Sequence, residues 1–322
     1  MKTITLEEHF TTAMYVEATA GIAFGGQPNS YTLNIQRKQA DLGEGRIADM
    51  DDAEIDLQVL SLSGILLDAL DADTAGQVVH DANDHAAHAV RAYPDRFAAF
   101  ASLSLKQPND AAEELKRCVN EFGFKGAIVN GLTDGLFLDD ERFFPVLRTA
   151  QELGVPIYLH PAPPPKTVRD SYFSGLSSGY GQLLSIAGWG WHVETGLHAL
   201  RLIVSGVFEK LPDLQIIIGH MGENLPFSIA RADSVLSHAV RPLTKPAIET
   251  FQTNFHITTS GYFTLPPFEC AKEVIGLDRI LFSVDYPYST NAQGRTFLNS
   301  LPITDEERSA VAGENAKKLL KL

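Results

Sequence analysis

Gln215-Ile216-Ile217-Ile218-Gly219-His220 is a short apolar run, rich in β-branched side chains, that ends on a titratable residue. Branching at Cβ favours a pleated strand, and an unbroken apolar run fits a parallel sheet covered on both faces. Seven other stretches read the same way: Thr3–Phe10, Leu57–Gly64, Arg96–Leu105, Lys125–Gly131, Pro156–His160, Phe255–Gly261 and Arg279–Asp285. A segment of helical period follows each, so the chain repeats a βα unit. Eight units predict an α/β fold, a closed (β/α)8 barrel of the TIM type. The length of 322 residues allows one domain or two, and no linker or composition shift divides it, so a single barrel domain over 1–322 is expected.

Punctuation supports the helices. Pro108-Asn109-Asp110 opens Ala111–Glu121, Gly123 ends it, and Thr304-Asp305-Glu306-Glu307 starts the last helix with early negative charge. Two stretches break the rhythm: 11–45, with five of the 25 glycines, and 161–190, with Pro161, Pro163, Pro164 and Pro165. They follow the first and fifth strands, on the face where a barrel carries its active-site loops, and long loops there serve as lids or binding walls.

Composition narrows the function. With 44% apolar and 20% charged residues the chain is a soluble globular protein. Its net charge of −14 and lack of any basic run exclude nucleic acid and anionic membrane as partners. Cys118 and Cys270 show no Cys-x-x-Cys spacing, which argues against a disulfide framework or a thiolate zinc site and suits a reducing cytoplasm. Carboxylates precede any apolar stretch at the N-terminus, and no run approaches the ~20 residues of a membrane span.

The chemistry gathers at strand ends. Glu7 and His9 lie in the first strand, His160 closes the fifth, His220 the sixth and Asp285 the eighth. Residues two apart in a strand share a face, so Glu7 and His9 project together into the barrel mouth while Glu8 points away. Carboxylate oxygen and neutral imidazole suit a divalent ion, Zn²⁺ or Mn²⁺, with Mg²⁺ also admissible, and His160 and Asp285 supply further ligands. Two carboxylates buried without a cation would cost several kcal/mol or take up protons. His220 and Glu223, three residues apart, read as a base and its orienting carboxylate; the alternative for Glu223 is to charge the N-terminus of the next helix. Arg231, within that helix, is a candidate contact for an anionic substrate.

Other signals are weaker. Gly175-Leu176-Ser177-Ser178-Gly179 has the spelling of a nucleophile elbow but lacks the strand that must precede one. Asp81, His85 and His88 share a face in an Ala-rich helix that reads as solvated. His192 and His198, beside Trp189 and Trp191, read as core packing. No Gly-x-Gly-x-x-Gly or Walker sequence follows a strand, so no nucleotide or other organic cofactor is expected.

Leu6-Glu7-Glu8-His9-Phe10, Tyr158-Leu159-His160-Pro161, Gly219-His220-Met221-Gly222-Glu223, His256-Ile257-Thr258-Thr259-Ser260-Gly261 and Leu281-Phe282-Ser283-Val284-Asp285-Tyr286-Pro287 resemble, in order and context, the metal-dependent decarboxylases of the amidohydrolase superfamily. The branch is that of aminocarboxymuconate-semialdehyde decarboxylase, and the match looks closest to the γ-resorcylate (2,6-dihydroxybenzoate) and related hydroxybenzoate decarboxylases. The segments 11–45 and 161–190 do not share in it. The resemblance implies a (β/α)8 barrel, one divalent metal, nonoxidative and reversible loss of CO2 from a small phenolic acid, and a homodimer or homotetramer. By motif position it places Glu7, His9, His160 and Asp285 as metal ligands, and His220 and Glu223 with Asp285 as catalytic residues. Asn130, Arg231 and Tyr288 fall where that family contacts substrate.

On this reading Asp285 protonates the ring carbon that bears the carboxylate, while the metal orients phenolate and carboxylate oxygens. The competing enzymatic reading is a hydrolase of a lactone, amide or ester that uses metal-bound water. A barrel that binds a metal or small ligand without turnover is the remaining alternative.

Overall fold

The computed structural model describes residues 1–22, 29–177, 179–238 and 243–322. Parts of both rhythm-breaking segments, 23–28 and Ser178 of the elbow-like spelling, lie outside the described residues, as do 239–242. The strands are β1 (Ile4–Phe10), β2 (Leu57–Leu62), β3 (Phe97–Ala99), β4 (Ala101–Ser102), β5 (Ala127–Asn130), β6 (Ile157–His160), β7 (Ile216–Ile218), β8 (Phe255–Thr258) and β9 (Ile280–Leu281). Every pairing is parallel, in the order β1-β2-β3 and then β4 through β9.

β3 and β4 fall within the single expected strand Arg96–Leu105. The interruption at Phe100 has a physical cause: its N–H turns to the Leu60 carbonyl on β2 (3.0 Å), while the Ala101 N–H turns to Gly126 beside β5 (2.8 Å). The chain thus serves one neighbour with each half, and the barrel has eight staves. A parallel bridge between Leu6 and Ser283, with the His9 N–H on the Tyr286 carbonyl at 2.7 Å, joins the last stave to the first.

All eight expected strands exist, but most stop short of their expected ends. His220 and Asp285 lie past β7 and β9, at φ 49° and 67°, in the left-handed region outside regular strand geometry. The two rhythm-breaking segments carry helices instead of open loop: Ala13–Thr19, Ser30–Ala40 and the start of Glu44–Asp51 in the first, Lys166–Tyr172 and Tyr180–Ser185 in the second. Local caps explain the earliest two, since Thr12 accepts the Tyr15 N–H and Asn29 forms a reciprocal box with Thr32. The helix expected at Ala111–Glu121 runs Pro108–Phe122, with Gly123 closing it at φ 71°, and Thr304 boxes with Glu307 at the start of Asp305–Ser309.

The interior is filled by Ile4, Leu6, Val59, Phe100, Ile128, Tyr158, Ile217 and Leu281, and Ala316 and Leu320 of the C-terminal helix join the same cluster. A second apolar layer lies outside the strands, against the helices. Each fully buried large side chain contributes roughly 1.5–3 kcal/mol. Among the described residues no helix is long and apolar enough to cross a membrane.

β1 does not alternate simply. Ile4 and Leu6 face the interior, whereas Phe10 belongs to the outer layer. The register slips between Thr5 and Glu8, with Glu7 at φ 62°, and this bulge exchanges the faces so that Glu7 and His9 point inward above Leu6.

Candidate active site

Glu7 is the centre of the mouth and is completely buried. Its Oε2 accepts hydrogen bonds from the Tyr158 hydroxyl and Ser260 Oγ, with Thr258 Oγ1 at 3.5 Å. Room for the carboxylate comes from Gly219 at the end of β7, where a Cβ would stand 2.9 Å from Oε2. Oε1 is left without a hydrogen-bond partner and lies 3.2 Å from His160 Nε2.

Each imidazole is oriented from behind. His160 Nδ1 donates to the Pro161 carbonyl at 2.7 Å, which leaves a lone pair on Nε2. His9 Nδ1 meets Ser61 Oγ at 3.3 Å, and its buried Nε2 has no hydrogen-bond partner, although Asp285 Oδ1 lies 3.2 Å away. His220 Nδ1 meets Glu223 Oε1 at 2.7 Å, and its Nε2 stands 3.9 Å from Glu7 Oε1 and 3.8 Å from Asp285 Oδ2.

The electrostatics follow from this crowding. Burial alone would raise the Glu7 carboxyl, but the charge of His220 and the contact with His160 hold it well below the usual carboxylate range. Asp285 is likewise lowered, because His220 and His9 outweigh its burial. His220 is raised well above the ordinary imidazole value: burial opposes its charge, and Glu223 and Glu7 overcome that. Glu223 is lowered, His220 and His192 prevailing over burial.

Glu7, His9 and His160 offer three donor atoms within 4.8 Å of one another, and so do Glu7, His220 and Asp285. The donor set suits a divalent cation. Glu7 Oε1 and His9 Nε2 are buried acceptors without partners, and a carboxylate oxygen facing an imidazole lone pair at 3.2 Å is repulsive unless a proton or cation lies between them.

The remaining expected residues divide. Asn130, at the end of β5, pairs in register with His160 and has a buried, unpartnered Oδ1. Tyr288 packs edge-on against His9 at 5.6 Å, its hydroxyl bonded to Ser63 (2.9 Å) and Gln39 (3.0 Å). Arg231 is exposed on the helix Leu225–Leu236 and makes no ion pair with the cluster among the described residues. His85 and His88 are exposed, as expected, and His198 is buried core, its Nε2 accepting the Leu138 N–H at 2.6 Å.

Two readings need correction. His192 is not simple packing, because its Nδ1 lies 2.7 Å from Glu223 Oε2; nor is Trp189 core, being 54% exposed. The partner of His192 is 31 residues away, so nothing local marks it. Tyr158 and Ser260 were also overlooked, although Tyr158 lies two residues before His160 on one strand face. Glu8 points away from the mouth as expected, and it grips the backbone that carries Asp285.

The amidohydrolase family signature matches residues 29–322. The chain is 38% identical to the γ-resorcylate decarboxylase of Rhizobium sp. (strain MTP-10005) over 331 positions, spanning 99% of this chain and 98% of that protein. The crystal structure of 2,6-dihydroxybenzoate decarboxylase complexed with 2,6-dihydroxybenzoate matches at TM-score 0.91 and 36% identity, covering 100% of both chains. The dihydroxybenzoic acid decarboxylase of Polaromonas sp. JS666, solved with bound manganese and the inhibitor 2-nitroresorcinol, matches at TM-score 0.91 and 34% identity, covering 100% of this chain and 97% of that one. Both the barrel with its cluster of carboxylates and imidazoles at the mouth and these full-length likenesses lead to one assignment: the chain belongs to the amidohydrolase family.

Proposed function

We propose that this chain is a metal-dependent carboxy-lyase that removes CO2, without oxidation, from a phenolic acid with a hydroxyl ortho to the carboxylate. The observation that carries it is the pair of buried, partnerless acceptors, Glu7 Oε1 and His9 Nε2, set opposite His160 and Asp285. The three full-length relatives described above are decarboxylases of dihydroxybenzoates. Glu7, His9, His160 and Asp285 would hold one divalent ion, manganese or zinc. Bound there, the ion supplies positive charge that orients and polarises oxygens of the substrate.

The residues then divide the proton work. His220 is charged while only Glu223, Glu7 and Asp285 face it; with a cation held at Glu7 and Asp285 its Nε2 would be unprotonated, and with Nδ1 engaged by Glu223 it would take the phenolic proton there. Electron density from the phenolate makes the ring carbon bearing the carboxylate basic. Asp285 protonates that carbon; the bond to the carboxylate then breaks, CO2 leaves, and its electron pair restores the aromatic ring. The phenolic proton returns from His220, so one proton from solvent is consumed overall. Asp285 is ionised in the resting site, so it acquires its proton once the substrate's negative charge lies against it in a dry pocket. Asn130 and Tyr288 stand beside His160 and His9 to contact the ring, and Arg231 offers an exposed guanidinium to the carboxylate.

The same proposal includes a homodimer or homotetramer, supported by exposed Tyr172, Leu176, Tyr180, Leu183 and Trp189 and by Phe227 at 90% exposure. Free Cys118 and Cys270 support a reducing cytoplasmic setting.

The deciding experiment measures CO2 release from 2,6-dihydroxybenzoate, salicylate and 2,3-dihydroxybenzoate with metal-analysed and chelated enzyme. Release that vanishes on chelation and returns with Mn²⁺ or Zn²⁺ is the expected result, with Asp285→Asn retaining metal and losing turnover. No release at full metal occupancy would overturn the reading and favour hydrolysis of a lactone, amide or ester.

A further inference from the structure

Glu223 is held from two sides. Oε1 faces His220 Nδ1 and Oε2 faces His192 Nδ1, each at 2.7 Å, and all three side chains are buried. His192 comes from the first turn of the helix Gly190–Val204. One turn further along, a Cβ on Gly196 would stand 2.6 Å from the Glu223 carbonyl oxygen. A single face of that helix therefore receives both the side chain and the main chain of Glu223.

The support matters because the backbone there is strained. His220, Met221, Gly222, Glu223 and Asn224 all have positive φ, between 49° and 85°. Side-chain-bearing residues hold such a run only where their surroundings over-determine it.

The protons can be placed by chemistry. Trp191 Nε1–H lies 3.1 Å from His192 Nε2 and can only donate, so the neutral His192 ring carries its proton on Nδ1 and gives it to Glu223. The Ala187 carbonyl also lies 3.1 Å from Nε2. The rings of His220 and Tyr262 pack on His192 at 4.6 and 5.7 Å. With Oε2 satisfied in this way, Oε1 accepts the His220 Nδ1–H, so Nε2 faces the mouth and is the nitrogen that would give up its proton once a cation is held there.

We propose that His192 is a positioning residue: by holding Glu223 Oε2 it fixes the tautomer and orientation of His220. Its effect on turnover rests on the decarboxylase reading above; its effect on the His220 tautomer does not.

The test compares His192→Leu, which keeps bulk and removes the N–H, with His192→Asn and His192→Gln, which return an amide N–H. In the zinc-loaded, ¹⁵N-histidine-labelled protein, the imidazole spectra identify the nitrogen that carries the His220 proton. The wild type and at least one amide variant are expected to show it on Nδ1, and the Leu variant a mixture of tautomers. The same Leu variant should lose about tenfold to a hundredfold in kcat, the range seen when an orienting partner is removed, with KM within about twofold and partial recovery in the amide variant. An unchanged His220 tautomer in the Leu variant overturns the proposal, whether kcat is unchanged or falls equally in all three variants. Should the Leu variant fail to fold, an amide variant that folds without the Nδ1–H form of His220 overturns it, and one that keeps that form supports it. If the wild type turns over no hydroxybenzoate, the functional reading fails, and the tautomer comparison still decides the role of His192.

Discussion

Glu8 and Asp285 are coupled through the main chain: the Glu8 carboxylate accepts the N–H of Val284 at 3.0 Å and that of Tyr286 at 3.1 Å, the two amides that flank Asp285. Asp285 needs this clamp because it sits at φ 67°, which an L-residue holds only under constraint. Burial pushes the Glu8 carboxyl up to about 8, against the pull of the same two amides. Glu8→Gln places an NH2 group against one of the two donors. The variant is expected to fold, to bind manganese about tenfold more weakly and to lose kcat by a similar factor. Manganese titration of the metal-free protein checks this, and affinity within twofold of wild type would dismiss the clamp.

Gly219 is required by space rather than by backbone freedom. Its φ of −76° and ψ of −170° are open to alanine, yet a Cβ would meet Glu7 Oε2 at 2.9 Å and the Tyr158 hydroxyl at 3.0 Å. Gly219→Ala should therefore cost about 1–3 kcal/mol from overpacking and displace the Glu7 carboxylate. A lower Tm together with substoichiometric metal is the expected pair of results. Full metal occupancy at unchanged Tm would show that the mouth yields without cost.

Tyr158 and Ser260 share Glu7 Oε2, which leaves Oε1 as the free oxygen. Tyr158→Phe keeps the buried ring and removes one of the two donors. Calorimetric titration with Mn²⁺ should show affinity reduced about tenfold, with thermal stability of the metal-free form nearly unchanged. A large loss of stability with normal metal affinity would instead make the hydroxyl a structural element of the barrel core.

The gathering of candidate donors was legible because strand periodicity and strand ends are one-dimensional features: Glu7 and His9 are two apart, and His160, His220 and Asp285 each close an apolar run. The bulge in β1 was not legible. Ile4 and Leu6 occupy the interior, so strict alternation from them would turn Glu8 inward, and only the register slip at Glu7 restores Glu7 and His9 to the mouth. His192 was illegible for another reason. A buried histidine beside tryptophans looks like packing until Glu223, far along the chain, is seen to fill the space in front of it. The helices within 11–45 and 161–190 were hidden by glycine and proline; in 11–45 their breaking tendency was outweighed locally by the side-chain caps of Thr12 and Asn29, while the helices of 161–190 have no such cap.

Acid stability should depend on His198, six residues beyond His192 on the helix Gly190–Val204. Burial pushes its imidazole down to about 3, helped by the nearby Arg201 charge, and its Nε2 must stay unprotonated to accept the Leu138 N–H at 2.6 Å. The unfolded chain takes up this proton near 6.5 and the folded one only near 3, so the unfolded state gains on the folded state throughout that interval. The stabilising contribution is complete above about 6.5 and is lost as the pH falls towards 3, at up to about 1.4 kcal/mol per pH unit from this one group. His256, pushed down to about 3 by burial and by Arg279, adds a slope of the same sign. His198→Gln retains an acceptor for the Leu138 N–H but cannot titrate. Urea unfolding between pH 7 and 4 should therefore show a shallower loss of stability in the variant than in the wild type. Parallel pH dependences would mean that His198 is protonated in the folded protein, and that the Leu138 contact survives by reorganisation.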